Sequence, residues 1–188
     1  MRFTYRLDGE TYLKLLDLED TKDVFELVDS DREHLKHWLP WIDGTRSVAD
    51  SRVFIESTKK QFAEGNGFQV GIWYKGELAG VSGFHKIDWD HRKTGIGYWL
   101  GEPFEGLGLM TKTCRALIDH AFQVWELNRV EIRCGTENTK SCAIPERLGF
   151  TREGTIREAE LVNGYAISHH VYGVLKSEWE REHHHVRD

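Results

Sequence analysis

The chain is poor in cysteine, proline and methionine: three, three and two in 188 residues. Cys114, Cys134 and Cys142 are odd in number and form no CxxC pair, so a disulfide framework and a zinc site are both excluded and buried, inert thiols are expected. No metal is expected elsewhere, the His183-His184-His185 run being read as a solvated tail. No stretch approaches the roughly 18 apolar residues of a membrane-spanning helix. Met1 to Glu10 lacks the apolar core of a signal peptide, and the expected compartment is the cytoplasm. Positive charge is not in excess either. Twenty-five Lys and Arg against 31 Asp and Glu give a net charge of −6. That excludes an overall basic nucleic-acid footprint and suits a cationic partner better than a polyanion. Repeats, low-complexity segments and long linkers are absent. A chain this long buries about 70% of its unfolded surface. One domain over 1–188, with its core at about 10–178, is therefore expected.

Aromatics are what the sequence has in quantity, with seven Trp and with Trp38 and Trp41 close together in HLKHWLPWI, a segment interrupted by Pro40. Tyr12 to Leu16 alternates like a strand. Asp20-Thr21 opens a short helix through Val28. Ser47 reads as the N-cap of a helix running to Glu64. Strands follow at 68–74, 78–87 and 93–101, the first two joined by a hairpin turn at Lys75-Gly76-Glu77. Met110, Cys114, Leu117, Ile118, Ala121, Phe122 and Trp125 recur at helical spacing. A strand at 129–134 and a helix at about 141–148 ending at Gly149 come next. Two strands near 150–162 and 168–176, joined through Asn163-Gly164, close the fold. The pattern is α+β: one mixed, mostly antiparallel sheet of about seven strands with about four helices.

The densest chemical signal is Phe104-Glu105-Gly106-Leu107-Gly108-Leu109-Met110-Thr111, where a strand ends, glycines follow and a helix begins. The first turn of a helix offers free N–H groups and the positive dipole end. Glycines let an anion approach the backbone closely. Thr111, Lys112 and Arg115 add a hydroxyl and positive charge, so a phosphate or pyrophosphate suits the site. The loop is neither a Walker A loop nor a full GxGxxG, and a turn that only packs a helix on a strand is the alternative.

The segments IGYWLGEPFEGLGLMTKTCRALIDHAF (96–122) and LNRVEIRCGTENTKSCAIPERLGFTREG (127–154) resemble the GCN5-related N-acetyltransferases (GNAT). They resemble most the RimL/RimJ branch, which acetylates the N-termini of ribosomal proteins, and YLKLL, HLKHWLPW and LVNGY fall into the same register. The resemblance implies acetyl-CoA as donor and two central strands, 93–101 and 129–134, that splay apart at their ends. The pantetheine arm would pair with the backbone of Trp99, Leu100 and Gly101. The pyrophosphate would rest on Gly106, Leu107, Gly108, Leu109, Met110 and Thr111. Asn138 matches the asparagine that contacts the pantetheine, a turn or cap role being the alternative. Arg147 stands one helical step away, toward the nucleotide phosphate. Against the loop pattern Q/R-x-x-G-x-A/G, this chain has Glu105, Gly108 and Met110. An acid thus stands beside an expected anion, and a large residue where a small one is usual.

Acetyl transfer to an amine needs a neutral amine, a donor for the oxyanion and a proton for the departing thiolate. The resemblance implies Ser141 as the acid, an N-cap role being the alternative. It implies Glu160 in EAELVNGY as the base, against a solvated strand charge, with Glu153 and Glu158 as rivals. Pro145, having no N–H, is expected to leave the Ser141 carbonyl for another partner. His85, His120, His169 and His170 are read as structural or exposed, and Tyr165 as a secondary acid candidate. Trp38 and Trp41 are placed at the acceptor pocket or in the core. The resemblance implies a protein N-terminus as acceptor, that of a ribosomal protein beginning with serine or alanine. A small amine such as a polyamine or aminoglycoside, and a non-catalytic acyl-CoA-binding protein, are the alternatives. Aromatic and strand surfaces suit a homo-oligomer, and neither nucleic acid nor membrane is an expected partner.

Overall fold

The computed structural model describes residues 4–184. Its strands are β1 (Thr4–Arg6), β2 (Thr11–Leu15), β3 (Gln69–Tyr74), β4 (Glu77–Phe84), β5 (Lys93–Leu100), β6 (Arg129–Gly135), β7 (Thr151–Val162) and β8 (Tyr165–Leu175). The helices are α1 (Thr21–Ser30), α2 (Arg32–Leu35), α3 (Val48–Ala63), α4 (Leu109–Gln123), α5 (Thr139–Arg147) and α6 (Lys176–His184). One sheet runs β1-β2-β3-β4-β5-β6-β8-β7. The described residues form eight strands and six α-helices, against an expected seven and four or so. The extra strand β1 is only three residues, too short to show alternation, and the two-charge start of α6 hid its single buried anchor, Trp179. The His183-His184-His185 run reaches past the described residues.

Local signals act where they were read. The Asp50 carboxylate accepts from the Ser47 N–H at 2.8 Å, which caps α3. Asn163 and Gly164 hold φ of 50° and 84°, the left-handed pair that an Asn-Gly hairpin turn requires. On α4 the residues at helical spacing, from Met110 to Phe122, all face the core. That core covers one face of the sheet with α4, α5 and Trp179 of α6. The opposite face carries α1 and α3 over β3 and β4. Val28, Leu35 and Ile42 form a small third cluster with Trp99 beside it.

Every neighbouring pair is antiparallel except β5 and β6, which run parallel with α4 as their crossover. Their ladder covers only Lys93–Gly95 against Arg129–Glu131 and then stops. Beyond it β5 stays with β4 to Leu100, and β6 stays with β8 to Gly135. Without a ladder between them, the twist of each half carries the strands apart. The expected splay is present, and it opens a crevice at the C-terminal ends of two parallel strands.

Candidate active site

One lip of the crevice is β5 and the loop after it. A 3-10 turn at Glu102–Phe104 leads to Gly106 and Gly108, both left-handed with φ of 75° and 73°. A Cβ at either would meet nothing within 4 Å, so their outer side is open. Lys112 is the first loop-flanking amide to reach a helical carbonyl, that of Gly108 at 3.1 Å. The N–H groups of Leu109, Met110 and Thr111 therefore remain for a ligand. Leu109 and Met110 are buried in the core, 1% and 5% exposed. The larger Met110 thus offers its backbone without crowding the loop. Arg147 of α5 reaches Thr111 Oγ1 at 3.5 Å, which brings it to the anion site. Lys112 does not serve there. It is paired with Asp8 at 2.7 Å. Arg115 lies over the Trp179 ring instead.

Glu105, the acid in the loop, is turned away from the helix terminus. Its carboxylate takes His34 of α2 at 3.0 Å and Lys140 of α5 at 2.5 Å. The hydrogen bond to Glu105 raises the Lys140 pKa. The anion site is relieved of that negative charge, and the two lips are tied across the crevice.

The other lip is the end of β6 and the start of α5. Asn138 is the N-cap of α5: its Oδ1 accepts from the Ser141 N–H at 3.1 Å. Ser141 is therefore not the cap, and its hydroxyl is not committed to the helix end. The Ser141 Oγ lies 3.3 Å from Tyr98 Oη. Tyr98 in turn donates to the Ser141 carbonyl at 3.0 Å, the acceptor that Pro145 cannot fill. Burial pushes the Tyr98 pKa well up, which keeps its proton in place. Cys134 Sγ lies 3.8 Å from the same hydroxyl, its thiol pushed up to about 11, chiefly by burial. All three thiols are free and buried.

Trp38 and Trp41 fall on opposite lips. Trp41 meets Trp99 of β5 edge-on, centroids 5.8 Å apart. Trp38 lies over Gly135 of β6, where a Cβ would come within 3.6 Å of its ring. Their segment is held from two sides. Asp31 accepts from the Glu102 N–H at 2.8 Å, and Asn163 of the β7–β8 turn donates to the Lys36 carbonyl at 2.5 Å. Glu160, on β7, sits 3.1 Å from His169 Nε2. Glu153 is ion-paired with Arg129, and Glu158 is an exposed left-handed residue in a bulge. Tyr165 is 74% exposed at the turn. His120 packs among Phe68, Phe84 and Trp125, and His170 bonds Thr155 at 2.8 Å. His85 lies against Gly95 and Gly97.

Tyr98, the Glu105 clamp and the Glu160–His169 pair were not read from sequence. Pro145 was the signal for a missing donor to Ser141, but its supplier stands 43 positions away.

An open backbone lip, a bare helix terminus and a second lip that carries an uncapped serine hydroxyl form a crevice suited to an extended, phosphate-ended acyl carrier, the build of an acyltransferase. The chain belongs to the GNAT acetyltransferases: the family model "Acetyltransferase (GNAT) domain" matches residues 11–151. YdaF of Bacillus subtilis (strain 168) is 38% identical over 96% of this chain and 99% of its own; its ribosomal N-acetyltransferase activity is itself a provisional assignment. The RimL ribosomal L7/L12 alpha-N-protein acetyltransferase, solved with coenzyme A, superposes with a TM-score of 0.88 at 26% identity, covering 92% of this chain and 98% of that one. The microcin C7 self-immunity acetyltransferase MccE, solved with acetyl-CoA and AMP, gives 0.87 at 29% identity over 90% and 94%.

Proposed function

We propose that this enzyme transfers the acetyl group of acetyl-CoA to the α-amine at a protein N-terminus, that of a ribosomal protein beginning with serine or alanine. The pyrophosphate rests on the Gly106–Thr111 backbone beside Arg147, and the pantetheine arm pairs with Trp99 to Gly101 and meets Asn138. The amine enters between Trp38 and Trp41. The observation that carries the reading is the Ser141–Tyr98 pair at the crevice wall. The Ser141 hydroxyl, which donates to Tyr98 Oη in the resting site, can turn to deliver its proton to the departing thiolate. Glu160 supplies negative charge on the acceptor side, which draws in a cationic amine.

The α-amine suits such a site on energetic grounds. Its pKa near 7.7–8.0 makes deprotonation at neutral pH cost about 1 kcal/mol, whereas lysine near 10.4 needs nearly 5. Similarity to MccE, whose structure holds AMP, favours a small-molecule amine as the second reading. The test is thiol release from acetyl-CoA with a panel of acceptors: ribosomal-protein N-terminal peptides, internal-lysine peptides, spermidine and an aminoglycoside. N-terminal peptides should react fastest. Equal rates for lysine peptides, or turnover of the small amines alone, would overturn the choice of acceptor.

A further inference from the structure

On the sheet face that carries Trp38, β6 and β8 pair Gly135 with His169. The next pairing outward sets Ile167 of β8 against Glu160 of β7. Gly135 ends β6 and has no side chain; Ile167 and Trp38 close over its open side, at 3.3 and 3.6 Å from where a Cβ would sit, and His169 is its direct cross-strand partner. Neighbouring strands lie about 4.8 Å apart. Glu160, on the edge strand, therefore starts roughly 10 Å from β6 by two such spacings. Its carboxylate is already turned to the imidazole in between, at 3.1 Å from Nε2. The imidazole is the more enclosed of the two, 17% exposed against 38%.

We propose that His169 is the proton acceptor for the attacking amine, and that Glu160 is the positioning residue that sets its tautomer and orientation. This rests on the acetyltransfer reading above and deepens it. A carboxylate on Nε2 holds the ring proton there and leaves the lone pair on Nδ1. Nδ1 has no hydrogen-bond partner among the described residues. The ammonium gives one proton to Nδ1, directly or through one water, and Glu160 stabilises the imidazolium. The freed lone pair attacks the thioester carbonyl carbon, the C–S bond breaks, and the sulfur takes a proton from the Ser141–Tyr98 pair. The second proton lost by nitrogen as the amide forms restores that pair, and His169 returns its proton to water. Other charges facing this region are Arg133 and Glu131 of β6, bonded to each other at 2.6 Å, His85 just after β4, and His37, whose ring meets Trp38 edge-on.

The test is kcat/KM for an N-terminal peptide from pH 5.5 to 9, with acetyl-CoA affinity measured by calorimetry on each variant. His169→Ala should lower kcat/KM by about 10²–10³-fold, leave acetyl-CoA affinity unchanged and abolish the acid limb of the profile. Added imidazole should restore part of the rate. Glu160→Gln should cost less, and should cost nothing further in the His169→Ala background. His170→Gln, on the opposite face of the same strand, should behave as wild type. A full Glu160→Gln loss on top of His169→Ala would return the proton to Glu160. Wild-type rates in His169→Ala, or an equal loss in His170→Gln, would reduce His169 to a packing residue. Either result leaves the acetyltransferase reading standing. A wild-type enzyme that acetylates no amine removes both.

Discussion

A single proline organises the chemistry at residue scale. Position 145 lacks the N–H that Ser141 would bond four residues back, and the vacated carbonyl is taken by the Tyr98 hydroxyl. The same phenol thereby comes within reach of the Ser141 hydroxyl. Tyr98→Phe should leave that carbonyl unsatisfied, lowering stability by about 1–3 kcal/mol, and should reduce kcat as well. Ser141→Ala should reduce kcat by about 10²-fold or more with little change in melting temperature, because Asn138 and not Ser141 caps the helix. In a Pro145→Ala background the stability loss of Tyr98→Phe should shrink, since position 145 then supplies the N–H. Denaturation and steady-state kinetics on the four variants check this. A Tyr98→Phe protein of wild-type stability would dismiss the proline account.

At the scale of elements, the proposed role of the loop between β5 and α4 rests on its backbone. Gly108 has φ of 73° and no atom within 4 Å of where a Cβ would sit. A β-branched residue there is both strained, by about 1–2 kcal/mol in the left-handed region, and in the path of the ligand. Gly108→Val should weaken acetyl-CoA binding about tenfold or more, roughly 1.4 kcal/mol, by calorimetry on the folded variant. Unchanged affinity would move the pyrophosphate to another site. This loop was legible in the sequence because glycine spacing before an amphipathic helix is a local signal. The disposition of Glu105 was not: its partners, His34 and Lys140, lie 71 and 35 positions away. Only the folded chain shows that the acid bridges two lips and is not left facing the anion.

At the scale of the whole molecule, two histidines with lowered pKa values give stability a pH dependence. His120 packs edge-on against Phe68 and Trp125, with centroids at 5.2 and 4.6 Å, and burial lowers its pKa. His85 is lowered as well, by burial and then by the charge of Arg133, but it is open to solvent and contributes less. The unfolded chain takes up these protons near pH 6.5, before the folded one does. It binds more protons in that window, so stability rises with pH through it. Stability should be complete above about pH 6.5 and fall as the pH drops toward the folded values. Melting temperatures at pH 5.5 and 7.5 should differ less in His120→Gln than in wild type. Identical differences in the two proteins would place the dependence elsewhere.

By itself the sequence determined what short-range physics controls. Hydrophobic spacing set α4 and the central strands, Asn163-Gly164 set the last hairpin, and Gly106 and Gly108 set a loop with a bare helix terminus behind it. Ser141, Glu160 and the placement of the two tryptophans came forward only through the resemblance to the GNAT family, since residue type alone also fits a helix cap, a solvated strand charge and core packing. The sequence underestimated the element count, since β1 and α2 are too short to impose a period. It also started α5 two residues late, at about Ser141, because a cap role for Asn138 was only one of two readings until its bond to the Ser141 N–H placed the helix start. The tertiary structure decided every pairing. It joined Tyr98 to Ser141 across the crevice, divided Trp38 and Trp41 between its lips, turned Glu105 onto Lys140 and set His169 between Glu160 and Gly135. Those contacts link residues on different strands and helices. Their geometry follows from how the two halves of the sheet splay and twist, which no local pattern encodes.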